Sequence, residues 1–506
     1  MRLEARERSS HERSTASWPL GELGLSRRSV FDSADSARVD EVAEAGSDSS
    51  DVSNVPRVAV LGLARSGLAA AKLLLARGCQ VELWDLHRPD DEILNEQLDE
   101  RVRDGGCLFL GPHQSSWLDR IDLLVKSPGV DPRIPFIVTA KKMGVPIVGE
   151  LELASLAAEG PIVALTGTNG KSTTTAWVGH MLTTGGKPAE VVGNIGRPFS
   201  EGVLASSDAT FVTEVSSFQL EDISTFRPQV ATWLNFSPDH LDRHGRLEDY
   251  RAAKMRLFEN QCDGDIAVLG VDPLFDDPGF DALPSGTRCL RVRQQDRGEE
   301  GAFLRDGKIS LRFSGEEIGL PESREIALPG PHNLANAMAA ATTAYAAGAD
   351  PGAIATSLIE FPGLSHRLEN VGSIRGVVCI NDSKATNIDS LAVALASYSG
   401  PVHLIAGGVG KGQDFSSLQN LIESKTASVY LIGEVAEELS RAWSAAKPRS
   451  FSSLEAALSA ALQEAAGEGT ILLSPGCASF DMFRDYEHRG DTFRTLVARY
   501  TEEQGA

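Results

Sequence analysis

Gly167-Thr168-Asn169-Gly170-Lys171-Ser172-Thr173 lies between the apolar run Pro161 to Thr166 and a helical stretch through Trp177 and Met181. Backbone N–H groups of such a loop point at phosphate oxygens, a lysine adds a point charge, and a hydroxyl such as that of Ser172 can ligand Mg²⁺. The strict P-loop spacing would place glycine at position 165, where this chain has Leu165. Two further blocks put polar groups directly after short apolar strands: Glu214-Val215-Ser216-Ser217-Phe218-Gln219-Leu220, and Leu234-Asn235 through His244. A glutamate at a strand end beside a phosphate loop is a candidate metal ligand, although a lone glutamate is ordinarily a solvated charge. His240 and His244 have the i, i+4 spacing of a zinc pair, but no HExxH glutamate accompanies them, so zinc is disfavoured.

A second glycine turn, Gly62-Leu63-Ala64-Arg65-Ser66-Gly67, has the outline of a dinucleotide fingerprint with its middle glycine replaced by Ala64. Asp85 ends the next strand, where an acid would reach a ribose. Alone, this turn reads as a nicotinamide site or, more safely, as a site for a nucleotide or nucleotide-sugar.

The elements that position these residues follow one grammar. Val58 to Gly62 is a buried-strand pattern that runs through the glycine turn into a helix ending at Arg77-Gly78, and Gln80 to Asp85 completes a parallel β-α-β unit. The same strand-to-glycine start recurs at Pro161 to Thr166 and at Val402 to Gly408. Three starts in 506 residues predict an α/β protein of three domains, with ligands at the carboxyl ends of the strands. The expected divisions are an unstructured segment over 1–54 and domains over 55–149, 150–363 and 364–506, with joints near Gly149-Glu150 and Pro362-Gly363.

Residues 1–54 contain no lysine and twelve serines, with arginines early and acids late. That composition cannot build a core. A transit-like presequence, or a true start near Val55, are the other readings of this stretch. The six cysteines lie far apart without C-x-x-C spacing and read as small buried hydrophobes in a reducing compartment. No apolar run reaches the roughly 20 residues of a membrane span, and no secretory h-region opens the chain, so the expected address is the cytoplasm with no membrane partner. A net charge of −22 argues against sequence-independent nucleic-acid binding.

Taken in order, the Gly-Thr-Asn-Gly-Lys-Ser loop, Asn194-Ile195-Gly196, the Glu214 block and Asp239-His240-Leu241-Asp242-Arg243 resemble the Mur ligase family, from about residue 57 to about 500. Asn381-Asp382-Ser383-Lys384-Ala385-Thr386-Asn387, Gly407 to Phe415 and Leu473 to Phe483 are similar to its D-glutamate-adding members. The resemblance implies a Rossmann-like N-terminal domain, a central P-loop-type ATPase domain and a Rossmann-like C-terminal domain. The implied enzyme is a monomer that uses ATP and Mg²⁺ to join D-glutamate to UDP-N-acetylmuramoyl-L-alanine through an acyl phosphate.

By the same resemblance, Gly167, Thr168, Asn169, Gly170, Lys171, Ser172 and Thr173 hold ATP. Asn333 and Asn336 reach its adenine, unless they merely cap a helix, and Arg367, Asp382 and Lys384 come to it from the third domain. Ser172, Glu214, His240 and a carbamate on Lys254 hold Mg²⁺, with Lys171, Lys254, His240 and Glu214 as the catalytic set. Gly62, Ser66, Asp85, Ser127 and Asn194 face the nucleotide-sugar, and Thr386, Lys411, Ser479, Phe480 and Tyr486 face D-glutamate. Leu86 and His87 depart from the expected hydroxyl and arginine at the uracil end, and Tyr486 replaces an expected phenylalanine. Another ligase of the superfamily such as a folylpolyglutamate synthase, a dehydrogenase, and a non-catalytic nucleotide-sugar sensor are the competing readings.

Overall fold

The computed structural model describes residues 55–86, 107–276, 283–328, 330–398, 400–410 and 412–505. The expectation for residues 1–54 and the positions His87 and Lys411 lie outside the described residues.

Three parallel-rich sheets follow one another along the chain. The first contains β1 (Arg57–Leu61), β2 (Gln80–Asp85), β3 (Cys107–Leu110), β4 (Leu123–Lys126) and β5 (Ile147–Gly149), in the order β3-β2-β1-β4-β5. Every neighbouring pair is parallel. Four consecutive residues of β1, Val58 to Leu61, are buried, as a strand covered on both faces requires. Helix α1 (Arg65–Ala76) leaves directly from the glycine turn, and α2 (Glu150–Ala157) follows β5 without an intervening residue.

The central sheet holds β6 (Ile162–Thr166), β7 (Ala189–Gly193), β8 (Thr210–Glu214), β9 (Val230–Trp233), β10 (Ile266–Leu269) and β11 (Arg288–Arg291) in the order β11-β10-β9-β6-β8-β7. Helix α3 (Lys171–Thr184) follows β6, and α4 (Phe199–Ala205) follows β7. Because the chain goes from β6 to the β7 edge and returns through β8 before crossing to β9, the carboxyl end of β6 lies at a topological switch point, where ligands of open α/β sheets bind. Register places Glu214 beside Leu165, two residues before the phosphate loop begins. Helices α5 (Leu247–Met255) and α6 (Pro331–Ala346) complete the layer around this end. A small antiparallel sheet of β12 (Gly301–Arg305), β13 (Lys308–Phe313) and β14 (Glu316–Glu322) precedes α6.

The third sheet contains β15 (Glu369–Ile374), β16 (Val377–Asn381), β17 (Val402–Gly407), β18 (Thr426–Ile432), β19 (Arg449–Ser450) and β20 (Thr470–Leu473), in the order β15-β16-β20-β17-β18-β19. Only β15 is antiparallel to its neighbour. The long helix α7 (Tyr486–Gly505) closes the described chain.

The Gly149-Glu150 step lies inside a packed region. One apolar core runs from Val58 and Leu68 through Leu151 and Ala154 of α2 to Phe199 of α4 and Phe211 and Trp233 of the central sheet. Lys126, 1% exposed, pairs with Asp222 at 2.7 Å across this contact, and the Glu152 carboxylate accepts the backbone N–H groups of Ser224, Thr225 and Phe226. The third domain instead has two cores of its own, built from residues 368 onward. Among the cysteines, Cys79, Cys379 and Cys477 are buried as expected, whereas Cys262 is exposed. No described helix is long and apolar enough to cross a membrane.

Candidate active site

The phosphate loop opens α3 in the geometry its glycines permit. Gly170 is the N-cap, with φ +79°, and no side chain caps the helix, which leaves the first N–H groups of α3 free for a ligand. A Cβ at Gly170 would overlap Asn336 Oδ1 on α6. The loop is held from behind by Asn235, a residue whose importance sequence reasoning missed. Its Oδ1 accepts from Thr168 N (3.1 Å) and Asn169 N (2.8 Å), and its Nδ2 donates to Asn169 O (3.0 Å). Thr168 Oγ1 accepts the Ser237 N–H at 3.0 Å. The signal for Asn235 was its place just after an apolar strand, but only the pairing of β9 with β6 shows that it faces the loop.

Two lysines stand behind the loop, Lys171 half-buried and Lys254 buried. Lys171 donates to Gly167 O (3.0 Å) and Thr168 O (2.8 Å). Burial lowers its pKa, while Glu214 and Asp239 oppose that shift. Lys254, 1% exposed, donates to Gly167 O at 2.7 Å. Burial first and the neighbouring Lys171 second hold its pKa well below the usual lysine range. The solvated lysine that residue type alone suggests is therefore not what the fold makes.

Glu214 is 2% exposed; its Oε1 accepts from Asn194 Nδ2 at 2.8 Å, and its Oε2 is buried without a partner. The Asn194 amide, expected to face a substrate, is thus turned onto Glu214. His240 is half-exposed beside Asp239, with its ring against Phe218, whereas His244 is inward and meets Ser217 Oγ at 3.0 Å. The two histidines therefore do not form a zinc pair. Among the described residues, no group of three or more His, Cys, Asp or Glu side chains converges as a ready-made metal site.

A cavity of about 320 Å³ adjoins the loop. Asn169, Gly170, Thr173, Asn333, Asn336, Arg367 and Asp382 all line it, so the cavity unites seven of the residues assigned to the nucleotide. Helix α6 begins at Pro331 with Gly330 as N-cap, which places Asn333 and Asn336 inside the helix and rules out the capping alternative. Arg367 Nε is buried without a partner. Asp382 is pushed up to about 6 by burial, against the pull of Arg367; its carboxylate accepts from Ser474 Oγ (2.7 Å) and Leu368 N (3.2 Å). Lys384 Nζ reaches Ser172 Oγ at 3.4 Å, which brings the third domain onto the phosphate loop.

The remaining residues lie around this centre. Gly62 has φ +89°, and Ser127 Oγ donates to Gly62 O at 2.6 Å. Asp85 Oδ2 accepts the Leu63 N–H at 2.7 Å, so one oxygen of the expected ribose ligand stabilises the turn. Ser66 is in the first turn of α1. Thr386 follows β16 and is half-buried, Ser479 is buried, and Phe480 is 72% exposed. The Tyr486 hydroxyl donates to Glu487 Oε1 at 3.0 Å. Arg489, which sequence reasoning also missed, is 1% exposed and donates to Ser383 Oγ, Ser383 O and Cys477 O, tying together the two loops that carry Lys384 and Ser479. An arginine in the first turns of a helix whose apolar residues lie farther along gave no signal of that role.

These features define a multidomain α/β protein with a P-loop-type phosphate site at the switch point of its central sheet. Three family descriptions match the chain: "Mur ligase MurD-like, N-terminal domain" over 56–149, "Mur ligase middle domain" over 165–344 and "Mur ligase, glutamate ligase domain" over 366–477. The chain is 39% identical to a UDP-N-acetylmuramoylalanine--D-glutamate ligase of Koribacter versatilis, over 88% of this chain and 98% of that one. It is 41% identical to the protein of the same description from Pelotomaculum thermopropionicum, over 87% and 97%. A solved UDP-N-acetylmuramate-alanine ligase of Thermotoga maritima shares the fold, with a TM-score of 0.53 at 20% identity over 88% of this chain and 99% of that one. The chain belongs to the Mur ligase family.

Proposed function

We propose that this protein is an ATP- and Mg²⁺-dependent ligase that joins D-glutamate to UDP-N-acetylmuramoyl-L-alanine, a step of peptidoglycan precursor synthesis, and that it does so as a cytoplasmic monomer with domains over 55–149, 150–363 and 364–506. The observation that carries the ligase chemistry is the set of groups around the phosphate loop: the half-buried Lys171, the buried Lys254, and the unpartnered buried atoms Glu214 Oε2 and Arg367 Nε. Relatives about 40% identical along nearly their whole length support the choice of substrates.

A carboxylate is a poor acyl donor, and activating it as an acyl phosphate brings like charges together. At 4 Å and an effective dielectric of about 20, each such pair costs about 4 kcal/mol. Lys171, Lys384 and Arg367 supply fixed positive charge against that repulsion. The orphaned, buried Glu214 Oε2 fits a divalent cation, which Ser172 and Glu214 would hold, with a carbamate on Lys254 and His240 at a second. When bound, Mg²⁺ neutralises phosphate oxygens. Burial next to Lys171 favours the neutral Lys254 amine, the only form that takes up CO₂. Asn194 fixes the Glu214 carboxylate through its amide, which makes it a positioning residue for the metal site as well as a neighbour of the muramoyl end.

The nucleotide-sugar lies against Gly62, Ser66, Asp85 and Ser127. D-Glutamate lies among Thr386, Lys411, Ser479, Phe480 and Tyr486, where its two carboxylates need cationic and hydroxyl partners. Phosphate release measured with Mg-ATP and UDP-N-acetylmuramoyl-L-alanine against a panel of amino acids tests this. D-Glutamate should support turnover, and turnover with L-lysine, meso-diaminopimelate or L-alanine in its place would refute the assignment.

A further inference from the structure

Arg65 lies inside the Gly62 to Gly67 turn and is the first residue of α1. Its guanidinium reaches out of the first domain in two directions. Nη2 donates to Gly196 O, in the turn that carries Asn194, and Nη1 lies 3.9 Å from Glu487 Oε1, in the first turn of α7. Glu487 Oε1 also accepts the Tyr486 hydroxyl. From the first domain, one side chain therefore touches a turn of the second domain and the first helical turn of α7 in the third, both of which carry residues assigned to the site.

The pair adds little to stability. The Arg65 and Glu487 side chains are 57% and 41% exposed, and an ion pair of that exposure contributes at most about 1 kcal/mol to stability. What the contacts fix is relative position. The Gly196 turn is set by positive φ at Gly193 and Gly196, and it carries the Asn194 amide that holds Glu214. The first turn of α7 carries Tyr486. A planar, forked guanidinium engages two acceptors in different directions at once, which a single ammonium does less well.

We propose that Arg65 is a positioning residue that registers the nucleotide-sugar turn of the first domain against the Asn194 turn and against the Tyr486 side of the amino-acid site. Occupancy of the sugar pocket then sets the geometry in which the incoming amino acid is held. The proposal rests on the functional reading above for what the Gly62 turn and Tyr486 bind.

A charge-swap cycle tests it, with steady-state constants for each substrate. Arg65→Glu and Glu487→Arg should each raise the KM for D-glutamate by about tenfold or more while the KM for ATP stays within about twofold. The double variant restores the Glu487 pair but not the donor to Gly196 O, so its KM for D-glutamate should fall between that of the worse single variant and that of the parent. Melting temperatures of all three should match the parent, because both side chains are largely exposed. Single variants with parental constants, or a double variant no better than the worse single one, would overturn the positioning role while leaving the ligase reading intact. A parent without D-glutamate-dependent turnover would overturn the ligase reading and this proposal with it.

Discussion

Taking an ammonium group out of water favours the neutral amine, and Lys254 is almost fully buried beside a second lysine. Residue type alone reads a lysine between Ala253 and Met255 as a solvated charge, and only the family resemblance pointed the other way. The physical reason, a helix facing the end of β6, is invisible until the strands are placed. Lys254→Ala should lower turnover steeply, and acetate should restore part of it while methylamine does nothing; rescue by the amine alone would mean that Lys254 acts as a plain cation. Asp382 makes the complementary case. Its carboxyl is raised from 3.8 to about 6, so between those values the folded state binds more protons than the unfolded one. The stability contributed by the protonated form is present below 3.8 and lost as pH rises through 6. Asp382→Asn should therefore raise the melting temperature at pH 7.5, by an upper limit of about 3 kcal/mol in stability, while lowering activity. The gain should vanish near pH 4, and a variant destabilised at pH 7.5 would contradict the burial argument.

At the scale of elements, the strand-loop-helix unit around Lys171 was legible because each part has a local signature: a run of buried residues, glycines, then a helix. What holds the loop was not legible. Asn235 reaches it through the pairing of β9 with β6, and Asn336 through the packing of α6, and neither distance is encoded locally. Capping was the alternative to adenine contact for Asn333 and Asn336, but Pro331 starts the helix earlier and carries both into its interior. Gly170 is where loop and helix meet. Gly170→Ala imposes a left-handed backbone on a residue with a Cβ, at about 1–2 kcal/mol, and drives that Cβ into Asn336. The KM for ATP should rise by about tenfold or more with the protein still folded; an unchanged KM would place the nucleotide elsewhere.

For the whole molecule, three α/β domains could be read from three strand starts, because strands of a parallel sheet are buried on both faces and those that lead into phosphate- or nucleotide-binding turns open onto glycines. That the first two domains share one apolar core could not be read, since Lys126 with Asp222 and Glu152 with residues 224–226 join positions far apart in sequence. The result is a platform that carries the phosphate loop, Glu214 and Lys254, approached by a third domain with its own cores that delivers Arg367, Lys384 and the Tyr486 turn. Such a division suits a reaction in which a carboxylate is first activated on the platform and then attacked by an amine held by the third domain. Tracing oxygen tests this most directly. The protein is incubated with Mg-ATP, D-glutamate and UDP-N-acetylmuramoyl-L-alanine carrying ¹⁸O in both oxygens of its alanine carboxylate, and the released phosphate is analysed by mass. One labelled oxygen per phosphate is the predicted result, and phosphate free of label would contradict activation of that carboxylate by phosphoryl transfer.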